Sequence, residues 1–289
     1  MFAPKFDYHR AGSVAEALQL LASDPEAKLL AGGHSLIPIL KLRLAAPSAL
    51  IDIGRIDTLR GISNGGGTIR IGALTTHAEI AASEAVRSKA TALAEAAGQI
   101  GDPAVRNRGT IGGNVAHADP ASDLPAVLTC LGATFVIEGA DGERRVGASD
   151  FFQGLFETAL GEDEVLTAVE VTASGDGEAS AYAKFAHPAS RYAVIGVAAK
   201  IGLDDGNCAS ASVALGGLVP APVRAKAVEQ ALAGQAVTAD AIGDAASKAA
   251  DSLPDDEVLG DVFASAEYRK ASAHVWVARA VRAAAARAS

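Results

Sequence analysis

The chain has 289 residues, 49% of them apolar and 20% charged, with a net charge of −9. That acidic balance argues against a nucleic-acid partner, and the apolar content argues against wholesale disorder. Two isolated cysteines, Cys130 and Cys208, offer neither a thiolate cluster for zinc or iron–sulfur nor a disulfide framework.

The N-terminal "MFAPKFDYHR" lacks the apolar core of a signal peptide. "SVAEALQLLAS" (13–23) pairs Ser13 with Glu16 as a capping box and places Val14, Leu18 and Leu21 on one helical stripe. "AKLLAGG" reads as a strand running into a glycine turn. "ALIDIGRI" and "TIRIGA" are further strands, and "NGGGT" (64–68) is a turn before the second. "TTHAEIAAS" starts a helix on a second capping box, Thr76 with Glu79. "VRSKATALAEAAGQI" predicts one Ala-rich helix, and the stretch from Gly101 to Leu128 reads as long and irregular.

"ATFVIEGADGERRV" predicts a hairpin across Asp-Gly, and "EVLTAVEV" another strand. "TASGDGEAS" (172–180) has almost nothing to bury and reads as a linker. Beyond it, "AYAKFAH", "AVIGVAAKIGL" and "CASASVALGGL" predict a three-stranded antiparallel sheet, followed by an Ala-rich helical end. Its arginines, Arg269, Arg279, Arg282 and Arg287, read as the wet face of an amphipathic helix or as facing an acidic partner. The longest apolar run is interrupted by Lys200 and too short to span a bilayer, so the expectation is a water-soluble cytoplasmic protein with no transmembrane segment. Helices and strands mix without regular β–α–β alternation, which predicts an α+β fold of two domains, residues 1–176 and 177–289.

Two short segments echo each other: "AGGHS" (31–35) and "TIGGN" (110–114). Adjacent glycines permit positive φ and close approach, and successive backbone N–H groups in such turns make an anion site. Ser35, Thr110 and Asn114 can add hydrogen bonds without bulk. Either loop alone could be an ordinary tight turn. No GxxxxGK[ST] and no GxGxxG opening a helix after the first strand is present, which excludes a P-loop and argues against a Rossmann site. His34, His77 and His117 sit in different strand and loop settings, which argues against a metal cluster.

"AGGHSLIPILKLRLAAPSALIDIGRI" and "RNRGTIGGNVAHADPASDLPAVL" together resemble the two FAD-binding segments of the medium, flavin-carrying subunit of molybdenum hydroxylases, the xanthine dehydrogenase and aerobic carbon monoxide dehydrogenase family. "IGALTTHAEI", "KFAHPASRYAVIGVAA" and "SAEYRK" follow in the family's order, so the resemblance covers nearly the whole chain; "GGHSLIPILKLR" looks most like the carbon monoxide type. The resemblance implies a flavin domain of the vanillyl-alcohol-oxidase (PCMH) type over 1–176, with subdomains of about 1–56 and 57–176, and a smaller C-terminal domain.

It implies non-covalent FAD, with its pyrophosphate against Gly32 and Gly33. The implied contacts are Ala31, Gly32, Gly33, His34 and Ser35 in the first loop and Thr110, Ile111, Gly112, Gly113 and Asn114 in the second. Asp123 matches an acidic residue near the flavin and ribityl end, Lys184 a lysine reaching back to the cofactor, and Tyr192 an aromatic beside the isoalloxazine. Ile100 and Leu166 match apolar contacts. From the residues alone, Asp123 could instead cap the helix at Leu124, Lys184 could be a solvated strand residue and Tyr192 could be core. The implied partners are a large molybdopterin subunit and a small subunit with 2Fe–2S clusters, two copies of each with this chain, and an external electron acceptor. The implied location is cytoplasmic, or peripheral to the inner membrane through that acceptor. Two rivals stay open: a self-sufficient flavin oxidase or reductase of the same fold, and a non-redox nucleotide-binding module that regulates a partner.

Overall fold

Ser13 begins the first helix, its hydroxyl accepting from the Glu16 N–H at 3.1 Å. Glu16 turns back to the N–H of Gly12, not of Ser13, so only half of the expected box forms. The computed structural model describes residues 2–254 and 256–289. In chain order the first layer is β1 (Asp7–Arg10), α1 (Val14–Ser23), β2 (Lys28–Leu30), α2 (Leu36–Lys41) and β3 (Ala49–Asp52). The strands form a parallel sheet in the order β1-β3-β2. Ala17 and Leu21 of α1 pack against Ala49, Ile51 and Ile53. β1 has no counterpart in the sequence reading, because all four of its residues are exposed and show no alternation.

The second layer opens with β4 (Ile62–Gly65) and β5 (Thr68–Gly72), joined by Gly66 and Gly67 at φ of 60° and 78°. Two positive φ values match a type I′ hairpin, so the "NGGGT" turn closes a strand pair. α3 (His77–Ala82) carries the complete Thr76–Glu79 capping box. The expected single Ala-rich helix is two, α4 (Glu84–Lys89) and α5 (Thr91–Gln99), broken at Ala90, which leaves helical geometry at φ −145° and is fully buried.

The stretch expected to be irregular holds three helices: α6 (Pro103–Arg106), α7 (Ile111–His117) and α8 (Leu124–Cys130). Each spans two turns or fewer, too short to show a period in sequence. Then come β6 (Thr134–Gly139), β7 (Gly142–Gly147), α9 (Ala148–Phe151), β8 (Phe152–Gly154), β9 (Glu157–Thr158) and β10 (Val165–Thr172). The sheet order is β4-β5-β10-β6-β7, all antiparallel. Phe135 and Phe151 stack at 3.9 Å in its core.

The last layer contains β11 (Glu178–Ala186), β12 (Ala193–Asp204), β13 (Asn207–Gly216), β14 (Val223–Arg224), α10 (Lys226–Leu232), α11 (Ala239–Ala246) and α12 (Ala266–Ala288). The three long strands match the expected sheet, and the two-residue β14 adds a fourth at its edge. Small side chains of α12, among them Ala273, Val277, Ala280 and Ala284, pack on Ile195, Val197 and Ala199.

Arg269 corrects the wet-face expectation. It is buried, its guanidinium donating to the carbonyls of Val194, Gly217 and Ala264 at 3.1, 2.6 and 3.2 Å and pairing with Asp261. Arg279 and Arg282 are exposed, Arg279 lying over the Trp276 ring, and Arg287 reaches back to the Ser180 carbonyl and Glu95. Among the described residues no helix is long and apolar enough to cross a membrane.

Candidate flavin site

The two glycine segments touch. An ideal Cβ on Gly32 would stand 2.1 Å from the Arg108 carbonyl oxygen, so the first loop is pressed onto backbone just before the second. Gly33 lies at φ +74°, where β-carbon sterics favour glycine. The protein's own backbone therefore fills the space that a Gly32 side chain would need, while Gly32 and Gly33 themselves line the cavity. What the loop offers is its amides: among the described residues, the N–H groups at 32–35 have no protein acceptor. His34 folds its ring back to within 3.1 Å of the Gly32 carbonyl oxygen.

The second loop is built differently. The Ile111 N–H donates to Thr75 O at 3.0 Å, the Gly112 N–H to Ala73 O at 2.8 Å, and the Gly113 N–H to the Thr110 hydroxyl at 3.2 Å. From Ile111 to Asn114 the backbone donors are consumed in fastening the loop to the 73–75 segment and to Thr110. What it leaves over is the Asn114 side-chain amide, whose oxygen accepts from Ser122.

Both loops open into one cavity of about 500 Å³. Its lining includes Ala31, Gly32, Gly33, His34, Ser35, Ile100, Thr110, Gly112, Gly113, Asn114, Asp123, Leu166 and Tyr192. Ile111 and Lys184 are absent from the lining. Ile111 is fully buried beneath the loop, and Lys184 stands one residue back, behind Asp123. Lys28, Leu36, Ile39, His77, Ser190 and Arg191 also line it, and sequence reasoning did not place them there.

Asp123 precedes α8 but makes no side-chain cap bond. Its carboxylate meets β11 instead. Lys184 Nζ lies 2.8 Å from Oδ1 and 2.9 Å from Oδ2, and the Tyr182 hydroxyl donates to Oδ1 at 2.6 Å. The Lys184 and Asp123 side chains are 1% and 5% exposed, so this is a buried pair and not a solvated strand lysine. Burial raises the Asp123 carboxyl from its ordinary value, and Lys184 and Tyr182 oppose that rise. The Asp123 turn is held by sheet backbone: Ala193 N–H donates to Ala121 O and Gly217 N–H to Pro120 O. Tyr192 is 44% exposed at the cavity, and its hydroxyl is raised by partial burial and by Asp119 and Asp123.

His34, His77 and His117 share the cavity, yet among the described residues no three metal-ligating side chains converge. His77 is 3% exposed, and its Nδ1 has no hydrogen-bond partner. Burial, then His34, lowers its pKa to about 4, so the ring is neutral at neutral pH.

The family described as FAD binding domain in molybdopterin dehydrogenase matches residues 4–173, and CO dehydrogenase flavoprotein C-terminal domain matches 180–284. The chain belongs to this flavoprotein family. It is 42% identical to the carbon monoxide dehydrogenase medium chain of Hydrogenophaga pseudoflava, over 99% of both chains. It is 41% identical to the glyceraldehyde dehydrogenase medium chain of Sulfolobus acidocaldarius, over 86% of this chain and 88% of that one. Among solved structures, quinoline 2-oxidoreductase from Pseudomonas putida 86 superposes with a TM-score of 0.94 at 33% identity, covering 100% of this chain and 99% of that one.

The flavoprotein's cavity fits FAD chemically. The unpaired amides at 32–35 suit a pyrophosphate, as a nest of N–H groups does. Apolar walls from Ile39, Ile100 and Leu166 suit flat ring systems, and Asp123 and Asn114 offer polar atoms for hydroxyls or ring N–H groups. Molybdopterin and iron–sulfur clusters sit on other subunits of such complexes, in keeping with two free, buried cysteines here.

The sequence did carry one unused signal. Tyr182 and Lys184 are two apart in a strand, so both side chains leave the same face, toward Asp123.

Proposed function

We propose that this flavoprotein is the electron-exit subunit of its molybdenum hydroxylase complex and takes no part in oxidising the substrate. The observation that carries this reading is the cavity where both glycine loops meet, with unpaired amides at 32–35. When bound, FAD supplies the redox chemistry, taking electrons from iron–sulfur clusters on a small subunit and passing them to an external acceptor. The residues of this chain bind and orient it. The 32–35 amides hold the pyrophosphate, assisted by Ser35, Thr110 and Asn114. Ile100 and Leu166 would flank the flat rings, Asp123 would accept a hydrogen bond from the nucleotide, Lys184 acts from behind Asp123, and Tyr192 would stand beside the rings at the cavity wall. Ala31, Gly32, Gly33, Ile111, Gly112 and Gly113 set the loop geometry, and His34 supplies a loop amide.

We further infer a division at about residue 176. Residues 1–56 and 57–176 supply the two glycine loops, and 177–289 supplies Lys184, Tyr192 and part of the subunit interface. The complex contains two copies each of a large molybdopterin subunit, this chain and a small iron–sulfur subunit. Its location is cytoplasmic, peripheral to the inner membrane where the acceptor is membrane-bound. Relatives named for carbon monoxide, glyceraldehyde and quinoline resemble this chain over 86% or more of its length, which supports placing substrate choice on another subunit.

The test is stopped-flow absorbance on the assembled complex, following cluster and flavin bands separately. Tyr192→Ala should slow flavin reoxidation and leave substrate-driven cluster reduction intact. Loss of cluster reduction in an intact complex would place this chain in the substrate step and end the electron-exit reading.

A further inference from the structure

Asp123 stands at the cavity wall with each carboxylate oxygen held by a different side chain of β11. Oδ1 accepts from the Tyr182 hydroxyl at 2.6 Å. Oδ2 accepts from Lys184 Nζ at 2.9 Å, and that ammonium also lies 2.8 Å from Oδ1. A carboxylate has about four acceptor positions, so these two side-chain donors do not exhaust it. The two donors are on β11 and the acceptor on the turn before α8, so residues far apart in the chain decide how the carboxylate is turned. Tyr182 is 7% exposed and does not line the cavity. Its backbone is itself fixed, the N–H donating to Glu95 Oε2 of α5 at 2.9 Å.

We propose that Tyr182 is a positioning residue of the cofactor site: it fixes the rotation of the Asp123 carboxylate so that a remaining acceptor position faces a hydroxyl or N–H donor of bound flavin nucleotide. The inference rests on reading the cavity as the FAD site. Without the phenol, Asp123 keeps its lysine but loses the bond that fixes the carboxylate's rotation. It also loses a donor that favours its charged form, so its protonation moves to higher pH. The groups around it are Tyr182 and Lys184 from β11, Tyr192 from the 187–192 turn and Asp119 from its own turn, with Glu95 and its partner Arg287 one residue behind Tyr182.

The test uses the full chain, stripped of flavin and titrated with FAD by fluorescence quenching at a series of pH values. Wild type sets the reference, and failure of wild type to bind FAD would sink the site reading itself. Tyr182→Phe should bind about tenfold more weakly at neutral pH, and the pH at which affinity falls by half should rise. In an Asp123→Asn background the same Tyr182→Phe change should have little further effect, because the phenol acts through the carboxylate. An unmoved pH midpoint, or an equal loss in the Asp123→Asn background, would reduce Tyr182 to a packing residue and overturn the proposal. Should Tyr182→Phe fail to fold, 3-fluorotyrosine at position 182 keeps the shape and makes a stronger donor. The midpoint should then move to lower pH, and no movement would overturn the proposal equally.

Discussion

Gly32→Ala should separate the two glycine loops and empty the site. The new Cβ would sit 2.1 Å from the Arg108 carbonyl oxygen and 2.8 Å from its carbon. Ordinary contact begins near 3.4 Å, so one backbone must retreat by about 1.3 Å. Neither can do so by changing a rotamer. Arg108 is followed at once by Gly109, whose N–H donates to Val105 O at 2.7 Å and whose carbonyl accepts from His77 N–H at 3.0 Å. Overpacking of this kind costs about 1–3 kcal/mol, and losing one of those bonds adds about 1 kcal/mol, so ~3 kcal/mol is expected. For a chain of this size that is a fall in melting temperature of roughly 6–12 °C. The amides at 32–35 would move by more than hydrogen bonds tolerate, so flavin per chain should drop close to zero. Gly113→Ala is the control for stability. Its Cβ would meet only the Thr110 hydroxyl at 3.0 Å and Ala31 at 3.9 Å, so the flavin-free melt should change by less than about 1 kcal/mol. The assay is calorimetry of flavin-free chain beside absorbance of the reconstituted one. A Gly32→Ala chain with wild-type flavin content and an unshifted melt would refute the claim that the loops are fixed by backbone contact.

Acid precipitation of the reconstituted chain should release all yellow colour to the supernatant, and colour retained in the pellet would contradict non-covalent binding. His77 is held neutral with a pKa of about 4 against 6.5 in the unfolded chain, so its contribution is present above pH 6.5 and lost as pH falls toward 4. Urea denaturation of the flavin-free chain should therefore show His77→Leu losing about 2 kcal/mol less than wild type between pH 7.5 and pH 5. Arg269→Met leaves the Val194, Gly217 and Ala264 carbonyls without their donor and should cost ~3 kcal/mol in urea unfolding. Lys184→Met strips a buried carboxylate of its cation, a loss of about 3 kcal/mol at pH 7.5. Part of that loss should return at pH 5, because Asp123, already raised by burial, then takes up a proton in the folded chain before it would in the unfolded one. A loss independent of pH would show that Asp123 is not the group left uncompensated.

Much of the architecture was legible because it repeats. Apolar runs bounded by turn residues marked the long strands β10 to β13, Asp-Gly marked the β6–β7 hairpin, and Thr76 with Glu79 marked the start of α3. Helices α6, α7 and α8 were not legible, since a helix of four to seven residues shows no period and is held by caps and contacts. Arg269 was misjudged for a related reason: its partners are carbonyls from Val194 and Gly217, more than 50 positions away, and carbonyls leave no mark in a sequence. At the site, the glycine loops could be found, but the reason for Gly32 could not. Its neighbour is the backbone of Arg108, and only the folded chain brings 32 and 108 together.

The cavity draws its wall from stretches spread along the chain, among them residues 28–39, residues 100–123 and the 190–192 turn, the last placed between β11 and β12. During synthesis these leave the ribosome far apart in time. A nascent chain that has not yet exposed β11 and the 190–192 turn presents Asp123 without Tyr182 or Lys184, and its binding surface lacks a side. Flavin capture then marks completion of the sheet built from β11 to β13, and the cofactor works as a late inspector of folding. Ribosome-bound chains stopped after position 170 should remain colourless in excess FAD, whereas chains released to position 289 should turn yellow.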